Sequence, residues 1–366
     1  MAGTKTGKFK ELVSPYLKDL MSKYKSEKGE DSPEYQSLYQ QYYYVEKESK
    51  VTNTERLRHY ESTIDVEFEG EKVVGVERLY RRTILLEPTT VCAAHCRWCL
   101  RGQYPVQTLN RDQITLATKY MGSSFIKKDV NEVLITGGDP LMAYGLLEFC
   151  LSQIQIHAPN IKTVRFGTRV PLQDPARVND KLLDILSKYD ELDFEFGINT
   201  CHYAEFTPQS EEAITKLIKA GYRVYNQHPL LKNVNDNAET LIKLYDKMRE
   251  LKVEGHYLFH AIPMRGMSHH RTSVERGLKL SMELSSSGYF SGRTKPRFCL
   301  MTDLGKVVLY EGSILKKDED GKNLLIKTSY NIKDREKWVP GWKKPESVEV
   351  NPDNTMNVWY ENGSDI

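Results

Sequence analysis

Short β-rich runs alternate with amphipathic helical stretches from about residue 83 to residue 260, and this alternation constrains the fold more than any other feature. Six runs predict strands, at 83–87, 132–136, 163–167, 193–199, 222–227 and 254–260. Helices are predicted between them, such as 143–156, 175–188, 208–220 and 236–251. Repeats of this kind build a parallel sheet with right-handed crossovers. Six units are too few for a closed eight-unit barrel, so the predicted fold is α/β, a partial (βα)6 TIM-type barrel.

Two further regions flank these repeats. Residues 8–50 predict two helices, the second beginning at Ser32-Pro33-Glu34, within an N-terminal helical extension of residues 1–70. The barrel is expected at 71–290. Residues 291–366 predict a C-terminal β-hairpin and an irregular extension, with the hairpin at 297–301 and 307–310 around a turn at 303–305.

Composition restricts the classes of partner. The 366 residues are 39% hydrophobic and carry a formal net charge of +2, which gives no strong attraction to nucleic acid or to a membrane surface. Lys5, Lys8 and Lys10 precede no apolar segment, so no signal peptide is predicted. No apolar run approaches the roughly 20 residues of a membrane span. The six cysteines are therefore expected to be those of a cytoplasmic protein.

Three of these cysteines, Cys92, Cys96 and Cys99, lie close together directly after the first predicted strand. Four thiolates normally hold a cubane iron–sulfur cluster. Three thiolates with no close fourth leave one iron free to bind a substrate or cofactor. The alternative is a non-catalytic structural metal site, with His95 as a fourth ligand to zinc. His95 stands between two of the cysteines, whereas structural zinc sites usually divide their ligands into two separated pairs.

The second predicted strand leads into a glycine turn, in which Gly137, Gly138 and Asp139 are followed by proline. Paired glycines after a strand let the backbone approach a ligand closely and expose its N–H and C=O groups. In barrels of parallel strands the chemistry gathers in the loops after the C-terminal strand ends, where both this turn and the cysteines are expected. An ordinary tight turn is the alternative.

The order Cys-x3-Cys-x2-Cys, with Trp98 before the third cysteine, resembles the signature of the radical S-adenosylmethionine (SAM) superfamily. Within that superfamily the chain resembles the lysine 2,3-aminomutase family over roughly residues 73–300. The segments that carry this resemblance are 96–101, 134–141, 165–171, 199–200, 226–236 and 256–272. The resemblance implies the partial barrel of the radical SAM class.

The resemblance also implies cofactors. A [4Fe–4S] cluster on Cys92, Cys96 and Cys99 would bind SAM at its open iron. One electron would cleave SAM to methionine and a 5′-deoxyadenosyl radical, which abstracts hydrogen from an unactivated C–H bond. By the same resemblance, the residues that bind SAM are Gly137, Gly138, Asp139, Arg169, Gln227 and Trp98.

Arg101 matches the arginine with which the family holds the carboxylate of its substrate, a contact that suits a planar guanidinium. A structural ion pair is the alternative for this residue. The implied partners are a small amino-acid-like substrate and an electron donor such as flavodoxin or ferredoxin. Because related aminomutases form oligomers, the resemblance also implies a possible homo-oligomer. No nucleic acid or membrane partner is expected.

The chain departs from the family where the family binds pyridoxal phosphate (PLP). The family carries two arginines for the PLP phosphate, and the corresponding stretch here is 79–83. Neither of the two matching positions holds a cation, although Arg78 and Arg82 stand beside them. A one-residue shift along a strand would turn such a side chain to the opposite face. Lys306 is the nearest counterpart of the Schiff-base lysine, and an exposed turn lysine is the alternative. These departures count against PLP.

Further departures concern the substrate and the reaction. Ile262 and Met301 fall at about the places of the acidic residues that hold the substrate's ammonium group in the lysine enzymes, so lysine is not the expected substrate. Cys201 replaces a histidine of the family and either returns a hydrogen atom to a substrate radical or is a buried small hydrophobe. The expected reaction is an aminomutase-like isomerisation. Without PLP, the alternatives are epimerisation, fragmentation or dehydrogenation on the same barrel.

Overall fold

The computed structural model describes residues 10–49, 67–78, 80–99, 107–264, 266–288 and 295–365. Its helices are α1 (Pro15–Lys28), α2 (Pro33–Tyr42), α3 (Arg111–Met121), α4 (Tyr144–His157), α5 (Val170–Gln173), α6 (Asp180–Ser187), α7 (Pro208–Lys219), α8 (Ala238–Glu250), α9 (Val274–Ser286) and α10 (Ile332–Trp338). None of the helices within these ranges is both long and apolar enough to cross a membrane. The strands are β1 (Glu67–Phe68), β2 (Glu71–Lys72), β3 (Val76–Glu77), β4 (Thr83–Thr89), β5 (Glu132–Gly137), β6 (Thr163–Gly167), β7 (Asp193–Ile198), β8 (Arg223–Leu230), β9 (Glu254–His260), β10 (Phe298–Thr302), β11 (Gly305–Val308), β12 (Ile314–Lys317), β13 (Asn323–Asn331), β14 (Val348–Val350) and β15 (Thr355–Glu361).

The main sheet has nine strands, in the order β11-β10-β9-β8-β7-β6-β5-β4-β3. The strands from β4 to β10 run parallel, and β3 and β11 pair antiparallel at the two edges. Consecutive parallel strands lie side by side with helices in most of their connections, which gives a curled partial barrel. The six predicted strands are confirmed as β4 to β9, and the predicted α/β class and partial barrel are confirmed with them.

Alternation along the strands separates an apolar layer under the helices from a polar barrel interior. Val133 and Ile135 of β5 are fully buried, and the register places them beside Val164 and Phe166 of β6. These side chains join the apolar faces of the surrounding helices in one large core. The intervening residues, such as Arg165, point to the opposite face, because successive side chains of a strand alternate. The interior of the barrel is therefore available for polar groups.

The two N-terminal helices cover the cysteine loop. Each begins at a serine whose hydroxyl accepts a backbone N–H, Ser14 for α1 and Ser32 for α2, with a proline in the first turn. Their buried faces, including Leu17 and Leu38, pack in one cluster with Cys96. The pair of helices predicted within residues 8–50 is confirmed.

The C-terminal region contributes to two sheets. The predicted hairpin is confirmed as β10 and β11, but Phe298 and Cys299 of β10 also pair in parallel with β9. The hairpin therefore continues the barrel sheet. Strands β12 to β15 form a separate four-stranded antiparallel sheet, in the order β12-β13-β15-β14, which is more regular than the extension that the sequence predicts. The division into regions at residues 70 and 290 stays a prediction.

Candidate active site

The loop with the three cysteines follows β4 and is held from outside the barrel. His95 N donates to Leu12 O at 2.8 Å, and Arg97 N donates to Gln41 O at 2.7 Å. The Arg97 side chain is fully buried and forms an ion pair with Glu48. Because these partners all lie in the first 49 residues, the N-terminal region fixes the conformation of the cysteine loop.

A cavity of about 210 Å³ opens beside this loop. All of the predicted cluster ligands and all of the residues predicted to bind SAM line it: Cys92, Cys96, Cys99, Gly137, Gly138, Asp139, Arg169, Gln227 and Trp98. They come from β8, from the end of β5 and from the loops after β4, β5 and β6. The structure therefore gathers residues that are far apart in the sequence at one end of the barrel, where parallel strands present their C-terminal ends.

The glycine turn after β5 packs directly against the start of the cysteine loop. Gly138 N donates to Thr89 O at 2.7 Å, and Asp139 N donates to Val91 O at 2.8 Å. A Cβ atom on Gly138 would lie 2.3 Å from Val91 O, so a larger residue fits only if the backbone moves. The glycine is thus required by the contact between two loops that line the cavity.

Substitution Gly138→Ala is expected to cost about 1–3 kcal/mol of unfolding free energy and to weaken SAM binding, because the new methyl group forces the two loops apart. The matched control is Gly145→Ala in α4, where a Cβ atom would meet no atom within 4 Å. Alanine there should be neutral or stabilising by about 0.5–1 kcal/mol. Urea denaturation and SAM-binding calorimetry of both variants test this difference, and equal behaviour would contradict it.

The carboxylate of Asp139 ties together the loops after β5 and β6. It accepts hydrogen bonds from Thr168 Oγ1 at 2.8 Å and from the backbone N–H groups of Leu141, Arg169 and Val170 at 3.1, 2.7 and 3.1 Å. Burial raises the pKa of Asp139, and these hydrogen bonds act in the opposite direction. Both oxygens are engaged, so a ligand in the cavity would meet the backbone of this turn rather than the carboxylate.

Three buried polar atoms on cavity-lining residues have no hydrogen-bond partner within the described ranges: Trp98 Nε1, Arg169 Nε and Gln227 Oε1. Buried polar atoms are normally paired, because an unpaired one costs about 1–3 kcal/mol. These two donors and one acceptor are suited to a polar ligand with both kinds of group. The amino, carboxylate and hydroxyl groups of SAM meet that requirement, so the lining residues fit SAM.

The three thiols of the cysteine loop suit an iron–sulfur cluster. Cys92, Cys96 and Cys99 are free cysteines that line the same cavity. Among the described residues, no three His, Cys, Asp or Glu side chains converge closely enough to hold one ion. The His95 ring places Nδ1 2.8 Å from Lys10 O, outside the cysteine loop. A cubane is larger than one ion and takes its thiolates at separate corners.

A polar layer lies next to the cavity in the barrel interior. Arg165 donates to Tyr225 Oη from Nε at 3.0 Å and from Nη2 at 2.9 Å, and to Glu132 Oε1 from Nη1 at 2.6 Å. A Cβ atom on Gly197, which lines the cavity, would lie 2.8 Å from Tyr225 Oη. The tyrosine ring therefore packs against the wall of the cavity, and Arg165 holds its hydroxyl group in place.

Lys306 is not an exposed turn lysine, which is the alternative that the sequence leaves open. It lies on β11 opposite Met301, and its Nζ stands 5.4 Å from the ring centres of both Tyr257 and Phe259. Burial, followed by the positive charge of Arg165, lowers the pKa of Lys306 to about 8. This desolvated setting suits a reactive amine. Lys306 is, however, not among the residues that line the cavity beside the cysteines.

The arginines that might compensate for the missing phosphate-binding residues bond elsewhere. Arg78 is 1% exposed and donates to Trp338 O at 3.1 Å and to Arg81 O at 3.0 Å. Arg82 Nε donates to Asn131 Oδ1 at 3.3 Å. The described residues therefore match the amine side of a PLP site but not its phosphate side.

Two predicted residues, Arg101 and Cys201, are not among the described residues that line the cavity. Arg101 lies outside the described residues. Cys201 is fully buried in a small apolar cluster with Leu231, Val234 and Ala261 and is not among the residues that line the cavity. Its surroundings match those of a packing cysteine.

Several residues of the site are not among the site residues that the sequence predicts. Asn199 and Gln173 line the cavity. Asn199 follows β7 directly, so its position after a strand is a signal that points to it. Gln41 and Tyr42, which approach the cysteine loop from α2, carry no such signal because they lie fifty residues before it.

Comparison with known proteins agrees with this fold. A family model described as the radical SAM superfamily matches residues 86–245. A putative L-lysine 2,3-aminomutase of Aquifex aeolicus is 36% identical over 256 residues, which cover 68% of this chain and 67% of that protein. The L-lysine 2,3-aminomutase of Bacillus subtilis is 30% identical over 260 residues, or 69% and 54% of the two chains. A glutamate 2,3-aminomutase of Clostridioides difficile is 29% identical over 231 residues, or 63% and 54%.

A partial barrel with these cysteines and this glycine turn defines the class of radical SAM enzymes. The chain belongs to that superfamily and, within it, to the lysine 2,3-aminomutase family. It is therefore an isomerase-like enzyme, and its family implies a [4Fe–4S] cluster and SAM as cofactors. The chain matches little more than half the length of the Bacillus and Clostridioides relatives.

Proposed function

We propose that this protein binds a [4Fe–4S] cluster through Cys92, Cys96 and Cys99, cleaves SAM reductively, and abstracts hydrogen from a small amino-acid-like carboxylate in an aminomutase-like isomerisation. The observation that carries the proposal is one cavity lined by every predicted cluster and SAM residue, with three buried polar atoms that have no partner in the described part of the chain. When bound, the cluster and SAM would supply a 5′-deoxyadenosyl radical.

The chain's own residues hold and shield these groups. Trp98 Nε1 and Arg169 Nε are the donors that lack partners among the described residues, and Gln227 Oε1 is the matching acceptor. Together they would orient the polar groups of SAM. The glycine turn supplies backbone atoms at the opposite edge. Tyr225, held by Arg165, packs behind Gly197 in the wall of the cavity.

The substrate proposal rests on fewer residues. Arg101 would hold the carboxylate, a role that depends on the family resemblance alone. Ile262 and Met301 are half-buried and apolar, which supports a substrate other than lysine. Lys306 is proposed as a half-buried amine that takes part in the chemistry, and Cys201 as a packing residue with hydrogen return as its alternative. The electron donor, a homo-oligomer and a cytoplasmic location remain predictions.

A PLP-independent reaction, such as epimerisation, fragmentation or dehydrogenation, is the second candidate. The contacts of Arg78 and Arg82 favour it, because both side chains bond to groups of the protein. A PLP absorbance band that borohydride reduction traps on Lys306 would support the aminomutase. Cluster-loaded protein that takes up no PLP would support the second candidate.

The test of the proposed function is 5′-deoxyadenosine formation by anaerobically reconstituted protein after dithionite reduction with SAM. A panel of deuterated amino acids, lysine and apolar or aromatic ones included, then identifies the substrate by deuterium transfer into 5′-deoxyadenosine. Cluster-loaded protein that forms none would rule out both enzymatic candidates, and zinc in place of iron would support a structural metal protein.

A further inference from the structure

Arg169 contacts three polar groups beside the proposed cluster. Its Nη1 lies 2.8 Å from Cys96 Sγ. Its Nη2 donates to Glu205 Oε2 at 2.5 Å and to Gln41 Oε1 at 3.1 Å. The side chain is 9% exposed, and its partner Glu205 is 1% exposed. The guanidinium group therefore has both terminal nitrogens engaged, one of them by a cysteine that is a proposed cluster ligand.

Glu205 is itself held in place. Its Oε1 accepts hydrogen bonds from the backbone N–H groups of Cys201 at 2.9 Å and His202 at 3.0 Å, and from Gln41 Nε2 at 3.1 Å. A carboxylate with three donors on one oxygen keeps the other oxygen in a fixed direction. That second oxygen is the one that meets Arg169.

We propose that the Arg169–Glu205 pair sets the reduction potential of the cluster through Cys96, with Glu205 as the positioning residue of Arg169. This inference rests on the proposed function. Both hydrogens of Nη2 are taken by Glu205 and Gln41, so Arg169 cannot hold a carboxylate of SAM with two parallel hydrogen bonds. Its contact with Cys96 is the distinctive one.

The direction of the effect follows from charge. Reduction adds one electron, and so one negative charge, to the cluster, and breaks no bond. The electron comes from a low-potential donor such as reduced flavodoxin or ferredoxin. A hydrogen bond and a positive charge at a ligating sulfur stabilise the more negative state and raise the potential. Glu205 lies behind Arg169 as seen from Cys96, and its negative charge opposes part of this increase in potential.

The experiment is a redox titration monitored by electron paramagnetic resonance on reconstituted wild-type protein and on the variants Arg169→Met and Glu205→Gln. The first variant should lower the potential by about 59 mV or more, a tenfold change in a one-electron equilibrium. Glu205→Gln should raise the potential, and by a smaller amount. Glutamine removes the negative charge but keeps an acceptor oxygen for the N–H groups of Cys201 and His202. Arg177→Met, whose partly exposed side chain pairs with Asp174, is the matched control and should leave the potential unchanged.

The results separate the two proposals. Suppose that the wild-type protein forms 5′-deoxyadenosine and that the equilibrium constant for cluster reduction in both variants stays within about threefold of the wild-type value. That result would overturn this inference alone. A lower melting temperature without a change in potential would likewise mean that the pair is only structural. Wild-type protein without a reducible cluster would overturn the proposed function and this inference together. Should Arg169→Met fail to fold, Glu205→Gln decides alone. A raised potential would support the inference, and an unchanged or lowered potential would overturn it.

Discussion

Replacement of any one of Cys92, Cys96 and Cys99 by alanine is expected to abolish the cluster and, with it, all formation of 5′-deoxyadenosine. Each of the three thiols lines the cavity, and the described part of the chain offers no further group of metal-binding side chains to replace a lost one. A cubane left with two protein thiolates loses a third of its protein ligands. Iron and sulfide content, visible absorbance and product analysis after reduction with SAM measure the effect.

The matched control for these variants is Cys150→Ala. Cys150 is fully buried in α4, within the large core, and is not among the residues that line the cavity. We expect this variant to lose some stability but to keep its iron and its activity. A cluster retained at full iron content by Cys96→Ala would contradict the ligand assignment, and zinc bound equally by all variants would contradict the cluster itself.

The barrel strands were accessible from sequence because each is short, β-rich and followed by a helix with a strong apolar face. Val133 and Ile135 alternate with less buried neighbours, and the same pattern recurs at Val164 and Phe166. The order of these strands in the sheet then follows from the preference of consecutive parallel strands for adjacent positions. No long-range contact is needed to predict this part of the fold.

The core of the candidate site was accessible for the same reason. The cysteines and the glycine turn follow strands directly, so the parallel arrangement brings them to one end of the barrel. Gln41 and Glu48 were not accessible, because they reach the cysteine loop from an N-terminal region whose packing depends on tertiary contacts. Glu205 belongs to the same group, since its partner Arg169 lies on a different loop.

Lys306 shows where local reading of a turn fails. The turn before it has the composition of an exposed hairpin, and the hairpin does form. The side chain is nevertheless half-buried, because β10 pairs with β9 and so brings β11 into the barrel sheet. Burial of this lysine depends on the pairing of strands about forty residues apart in the chain, which the composition of a turn does not encode.

Substitution Lys306→Met is expected to stabilise the protein while stopping product formation. Burial lowers the pKa of Lys306 from 10.5 to about 8, so the folded state carries an unfavourable ammonium charge at pH 7. Removal of that charge should raise the free energy of unfolding by up to about 3 kcal/mol at pH 7. Formation of 5′-deoxyadenosine should persist, because the cluster and SAM residues are unchanged. Urea denaturation, and product analysis with the substrate that the deuterium panel identifies, measure the two effects.

The pH dependence gives this prediction its sign. Between about pH 8 and pH 10.5 the folded wild-type protein has lost the Lys306 proton while the unfolded chain still binds it, so the stability of the wild type rises over this range. The advantage of Lys306→Met should therefore shrink above pH 8 and vanish near pH 10.5. The exposed Lys327 on β13 provides the control, since Lys327→Met should change stability by less than about 0.5 kcal/mol at any of these pH values. A Lys306→Met variant that is less stable than the wild type at pH 7 would mean that the ammonium group is paired and that the lysine serves the fold rather than the chemistry.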